Sequence, residues 1–201
     1  MQPEFRGTMG LGLTHQQAGW KQWGKGMQTD LADATRWAIA QGIANPKRIA
    51  IAGSSYGGYA TLMGLVRSAE LFRCGVAWVG VTDLDMLYTV NWSDISGNFK
   101  KYGLPQLLGD RVQDAADLKS NSPLTHASAI TQPLLLAYGD ADQRVPIVHG
   151  NRFKRAVQAN NSNVEWIVYE KEGHGWRMPA NQLDFWNRTA RFLDKHLVDR
   201  G

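Results

Sequence analysis

Four short apolar runs, Arg48–Ala52, Cys74–Val81, Pro133–Tyr138 and Val164–Tyr169, are set apart by segments of helical spacing, and this alternation limits the fold more than any other feature. The runs are nearly continuous rather than alternately apolar and polar, as strands buried on both faces require. Leu31, Ala34, Trp37 and Ala38 place a helix over Leu31–Ile43, with Thr29 or Asp30 as candidate caps and Gly42 and Pro46 as stop signals. Tyr59–Val66 and Gly150–Ala159 read as further helices. Leu183, Trp186, Ala190, Leu193 and Leu197 give a closing helix with an apolar stripe that must lie on a sheet. Repeated βα units of this kind predict an α/β fold, a mostly parallel sheet with helices on both faces. The length, 201 residues, suits one sizeable core, so residues 1–201 are read as a single domain.

Composition removes several function classes. The net charge is only +4, and no Lys/Arg cluster is interleaved with aromatics, so nucleic acid is not an expected partner. No apolar run reaches the roughly 18 residues that would span a membrane. The one cysteine, Cys74, excludes an internal disulfide and reads as a buried strand residue. Met1–Arg6 lacks the basic-then-apolar layout of a secretory signal, which leaves the compartment open. Asp83–Ile130 mixes short helical pieces with turn signals such as Ser122-Pro123, the pattern of an insertion that lines a site.

Between the first run and its helix lies Gly53-Ser54-Ser55-Tyr56-Gly57-Gly58. Only Ser55 has glycine at both flanking positions of G-x-S-x-G; Ser54 would need glycine where Ala52 and Tyr56 stand. The pattern suits a sharp strand-to-helix turn that holds a nucleophile in strained geometry, where side chains two residues to either side would collide. The next amide, Tyr56 N–H, then sits at the positive end of a helix, where an oxyanion would develop. A phosphate-binding loop is excluded, because no G-x-x-x-x-G-K-[ST] is present and no lysine follows the glycines.

A serine nucleophile on such a sheet needs an acid and then a histidine from later strand ends. After Pro133–Tyr138 come Asp140 and Asp142, either of which could steady an imidazole; after Val164–Tyr169 comes His174, flanked by Gly173 and Gly175. His15, His126, His149 and His196 have no second catalytic element beside them. No His/Asp/Glu cluster has metal-ligand spacing, so neither metal nor other cofactor is expected.

Taken with Phe5-Arg6-Gly7-Thr8-Met9-Gly10, Pro46-Lys47-Arg48-Ile49-Ala50-Ile51, Asp140-Ala141-Asp142-Gln143-Arg144-Val145-Pro146 and Glu172-Gly173-His174-Gly175, the elbow makes the chain resemble the catalytic domain of the prolyl oligopeptidase family of serine peptidases, over nearly its whole length. The resemblance implies an α/β-hydrolase fold with Ser55, Asp142 and His174 as the triad, choosing Asp142 over Asp140. It implies that Arg144 binds a substrate carbonyl and that Tyr56, Val81, Leu84, Leu87 and Val145 wall an apolar pocket, although ordinary core packing accounts equally well for the leucines. Relatives carry an amino-terminal β-propeller and further strands before the segment matching Phe5, with a loop that supplies the second oxyanion donor. The chain is read as lacking these. Two expectations follow: weak turnover, since one lost donor costs about 10²–10³ in kcat, and self-association through the sheet edge left open beside Arg48–Ala52. The substrate class is read as short peptides, with carboxylesterase chemistry or an inert fragment serving as an interaction module as alternatives.

Overall fold

A computed structural model describes residues 1–198. Residues 199–201, the end of the expected 1–201 domain, lie outside the described residues. Twelve helical and strand elements position the site: α1 (Leu13–Gln17), α2 (Gly26–Ala40), β1 (Ala50–Ser54), α3 (Tyr56–Arg67), β2 (Cys74–Trp78), α4 (Met86–Thr89), α5 (Leu104–Leu107), α6 (Ala115–Ser120), β3 (Leu134–Gly139), α7 (Val148–Gln158), β4 (Val164–Tyr169) and α8 (Pro179–Leu197). A π-turn at Phe99–Gly103 and a 3-10 stretch at Pro123–Ala129 complete the insertion between β2 and β3.

The four strands form one parallel sheet in the order β1-β2-β3-β4. Monotonic order with right-handed crossovers puts α3 and α7 on the same face. There Leu62 and Leu65 of α3 and Phe153 and Val157 of α7 pack with Leu134 and Leu136. The alternate residues Leu135 and Ala137, with Cys74 and Val76, point to the opposite face and meet Phe185 and Phe192 of α8. Both phenylalanines are buried, each contributing about 2–3 kcal/mol of transfer free energy. This is an α/β-hydrolase-type sheet with helices on both faces. β1 stands at one end, and among the described residues its outer edge carries no strand.

Several boundaries differ from the sequence reading, for local reasons. α2 begins five residues early because the chain turns at Gly24 (φ +72) and the Gly26 N–H donates to Gln22 Oε1. Thr29 and Asp30 therefore lie inside the helix rather than capping it, and Trp37, assigned to the apolar stripe, is exposed. β2 stops at Trp78, three residues short, since Val79 takes a positive φ of 45° and turns the chain out of the ladder. The closing helix is rotated from the expected stripe. Phe185, Thr189 and Phe192 are its buried residues, while Leu183 and Trp186 are 65% and 54% exposed and Ala190 is also exposed. Leu193 and Leu197 keep partial contact with the core.

Candidate active site

Ser55 occupies the single residue between β1 and α3, with φ 55° and ψ −116°. A non-glycine residue in this region stores about 1–3 kcal/mol of backbone strain and needs a rigid frame. Part of the frame is a hydrogen bond from Ser55 N–H to Trp78 O at 3.0 Å, tying the elbow to the end of β2. The rest is steric. A Cβ on Gly53 would lie 2.5 Å from the carbonyl carbon and oxygen of Gly57, so the strand and the first helical turn touch backbone to backbone. The expectation that both flanking glycines avoid a collision holds on one side only: a Cβ on Gly57 would meet nothing within 4 Å. The Tyr56 N–H, first of α3, makes no hydrogen bond among the described residues, and it lies at the helix's positive end. The Tyr56 ring packs edge-to-face on Trp23, with centroids 4.5 Å apart, and at a tilt against Phe5 at 5.4 Å.

Asp142 lies just past β3 with its side chain fully buried. Its Oδ1 accepts from the N–H groups of Arg144 (2.8 Å) and Val145 (2.9 Å), and its Oδ2 lies 2.8 Å from His174 Nδ1. An ionised carboxylate only accepts, so Nδ1 carries the proton and Nε2 offers its lone pair. Ser55 Oγ is 2.8 Å from that Nε2. The arrangement can pass a proton from Ser55 to His174 while Asp142 holds the ring and faces the charge that forms. Asp140 does different work: its Oδ1 accepts the Lys171 N–H, fastening the loop after β4 to the loop after β3.

The other histidines stand apart from this chain of bonds. His149 is buried, its Nδ1 accepts from the Thr82 N–H at 3.3 Å, and burial pushes its pKa down to about 4. His15 and His126 bond backbone carbonyls of Phe5 and Ser120, and His196 lies on α8. Among the described residues no group of three or more His, Cys, Asp or Glu side chains could hold a metal ion, and no helix is long and apolar enough to cross a membrane.

The residues assigned to substrate are placed unevenly. Val81, Leu84, Leu87 and Val145 are 2–7% exposed, buried in one cluster with Tyr59, Met63 and Leu104, and Tyr56 packs against its rim. They form a floor more than an open wall. The accessible apolar space adjoining Tyr56 is a cavity of about 580 Å³ lined by Phe5, Met9, Trp20, Trp23, Phe99 and Leu107. A slightly larger cleft, about 620 Å³, sits by Lys47, Arg73 and Pro133, at the end of the strands opposite Ser55, and holds no comparable set of groups. The Arg144 guanidinium forks onto Asp94, with bonds of 2.6 and 2.9 Å, and the Asp94 N–H donates to Gln143 O. That ion pair, first by hydrogen bonding, holds the Asp94 carboxyl below the usual carboxylate range. Asp94 was invisible to sequence reasoning; the only signal was that a turn-rich insertion of this length tends to reach a site. Glu172 was also missed as an individual residue, although it belongs to the quoted Glu172-Gly173-His174-Gly175 segment. It is buried and accepts three hydrogen bonds from the stretch just after His174.

Comparison with known proteins places the chain in a family. The chain is 38% identical over 198 residues to dipeptidyl aminopeptidase BIII of Pseudoxanthomonas mexicana and 34% identical over 200 residues to dipeptidyl peptidase family member 6 of Caenorhabditis elegans; each alignment takes in 98% of this chain but only 28% and 27% of the relative. It superposes on a puromycin-hydrolyzing peptidase of Mycobacterium tuberculosis with a TM-score of 0.87 at 27% identity, over 98% of this chain and 29% of that one. An acylaminoacyl peptidase of Pyrococcus horikoshii shares the fold at a TM-score of 0.83 and 23% identity, over 98% and 32%. The chain thus spans less than a third of the length of these proteins. The sequence profile described as the prolyl oligopeptidase family matches residues 1–200, and the chain belongs to that family of peptidases.

Proposed function

We propose that this chain is the acyl-transfer unit of a serine peptidase acting on short peptides, with residues 1–201 working as one domain. The observation that carries the reading is the unbroken line Asp142 Oδ2, His174, Ser55 Oγ, with both links 2.8 Å long and the serine on a positive-φ elbow. Ser55 Oγ attacks the carbonyl carbon as His174 Nε2 takes its proton, and the carbonyl oxygen gains charge beside the Tyr56 N–H. His174 then gives that proton to the leaving amine as the C–N bond breaks. A water, deprotonated by the same nitrogen, releases the acyl group from Ser55. Peptides as substrates are supported by the names of the relatives, a dipeptidyl aminopeptidase and an acylaminoacyl peptidase. Val81, Leu84, Leu87 and Val145 back the acyl side chain from beneath, and Arg144 meets a substrate carbonyl once it leaves Asp94. The outer edge of β1, the strand that leads into Ser55, carries no strand among the described residues, and with Ala52 and Ser54 exposed it supports self-association.

Esterase-type cleavage is a second reading: among the described residues the Tyr56 N–H is the oxyanion donor the elbow supplies, and an activated ester needs less stabilisation than an amide. A panel of chromogenic peptide amides and acyl esters, run with wild type and Ser55→Ala, tests both. Release that disappears in Ser55→Ala supports the hydrolase; amide turnover selects the peptidase and ester-only turnover the esterase. Release unaffected by the substitution would refute both. Sedimentation at micromolar concentration tests the edge: a concentration-dependent dimer is expected, and a clean monomer would remove the idea.

A further inference from the structure

We propose that Glu172 is a positioning residue for His174: its buried carboxylate clamps the segment that carries the imidazole and so fixes the ring between Asp142 and Ser55. The inference rests on His174 being the base.

Glu172 is 1% exposed, two residues before His174. One carboxylate oxygen accepts the Arg177 N–H (2.8 Å); the other accepts the Met178 N–H (2.9 Å) and Asn181 Nδ2 (3.0 Å). All three donors follow His174 in the chain, so one side chain ties together both ends of the loop 173–178. The bonds reach beyond the start of α8: Met178 is its N-cap and Asn181 lies in its first turn, but the Arg177 N–H belongs to the loop before them, so the carboxylate anchors the loop and the helix start together. Burial alone would raise the carboxyl's pKa, but the three donors outweigh it and keep the group ionised, as a clamp requires.

The Glu172 backbone makes the other half of the connection. Its carbonyl accepts the Ala141 N–H at 3.0 Å, one residue before Asp142. A Cβ on Gly139 would fall onto that same carbonyl, so the two loops meet with no room for a side chain. Glu172 thus grips the acid loop through its main chain and the base loop through its side chain. Within the base loop Gly175 has φ +123°; besides Glu172 the loop is held by a Gly175–Gly173 turn, by Gln182 Nε2 on Trp176 O, and by the Trp176 ring against Tyr169 (4.7 Å) and Phe185 (5.6 Å).

The test compares Glu172→Gln with wild type by two readouts. A glutamine turns an N–H₂ toward one of the backbone donors and breaks that link. The rate constant for labelling by a fluorophosphonate is expected to fall about 10- to 100-fold, as a displacement of up to 1 Å at the reacting groups implies. The second readout needs no turnover: the His174 Nδ1–H shared with Asp142 gives a far-downfield proton resonance, expected to vanish or move upfield in Glu172→Gln while the remaining amide spectrum stays folded. Asp184→Asn, which removes the charge from the bonds that Tyr169 O–H of β4 and Arg188 Nε of α8 donate to it, is the structural control and should lower stability without changing either readout. If Glu172→Gln does not fold, Asn181→Ala removes one of the three bonds and should shift both readouts less, in the same direction. Wild-type labelling and resonance in the Glu172 or Asn181 variant, or equal losses in Asp184→Asn, would overturn the proposal. A wild type that shows the resonance but does not label would instead refute the proposed hydrolase, and the resonance comparison would still decide the role of Glu172.

Discussion

Replacing Gly53 by alanine presses one methyl group into the backbone of the first turn of α3. The new carbon would sit 2.5 Å from Gly57 C and O and 2.7 Å from its Cα, where ordinary contacts begin near 3.4 Å. Neither side is a flexible side chain, so strand and helix must separate by roughly 1 Å, an overpacking that costs about 1–3 kcal/mol. For a chain of this size each kcal/mol lowers Tm by about 2–4 °C. The larger effect falls on chemistry. Ser55 sits between the two displaced pieces, and a shift of about 1 Å takes its 2.8 Å contact with His174 beyond hydrogen-bond range. Labelling by a fluorophosphonate should slow by about 10². Gly57→Ala is the matched comparison. Its methyl meets nothing within 4 Å, and alanine suits a helix better than glycine by about 0.5–1 kcal/mol, so Tm should hold or rise and labelling should change little. Labelling and melting of both variants decide the matter. Equal damage from the two, or a Gly53→Ala protein that labels as fast as wild type, would refute the steric account of the elbow.

Other outcomes follow from the same geometry. Asp142→Asn keeps one acceptor oxygen but turns an N–H₂ toward His174 or toward the Arg144 and Val145 amides, so labelling should drop by about 10³–10⁴ while far-ultraviolet circular dichroism stays unchanged. Asp30 is held below the usual carboxylate range, chiefly by its side-chain hydrogen bonds to Arg6. A depressed pKa stabilises the fold above the unfolded value near 4, and that contribution is lost as pH falls through the folded value. Because Arg6 is 40% exposed, the effect is about 1 kcal/mol. Asp30→Asn should therefore lose stability at pH 7, with a deficit that shrinks as the pH falls below about 4 in urea titrations; a deficit that does not change with pH would contradict this. Cys74 is buried, and that burial pushes its thiol up to about 11, so iodoacetamide at pH 8 should modify it only after unfolding.

How much was legible depended on the range of the interaction. Val164–Tyr169 matched β4 residue for residue because branched and aromatic side chains bounded by polar turns define a strand locally. The end of β2 was not legible, since no local residue preference announces a positive φ at the β-branched Val79. The rotation of α8 likewise depends on where Phe185 and Phe192 find the sheet; Leu183 and Trp186 are just as apolar but face outward. Ser55, His174 and the pair Asp140 and Asp142 could be named as candidates because each lies in a turn at a strand end; the choice of Asp142 came from the family resemblance, and the mutual distances were beyond reach of the sequence. Asp94 acts through the side chain of the distant Arg144 and Glu172 through irregular backbone, and neither contact leaves a spacing to read.

Intact-mass and peptide-mapping mass spectrometry after fluorophosphonate treatment tests the central claim most directly. One adduct on Ser55, absent from Ser55→Ala and suppressed in His174→Ala, is the predicted result. A folded protein that takes up no adduct, or takes it up at Ser54 instead, would contradict the account.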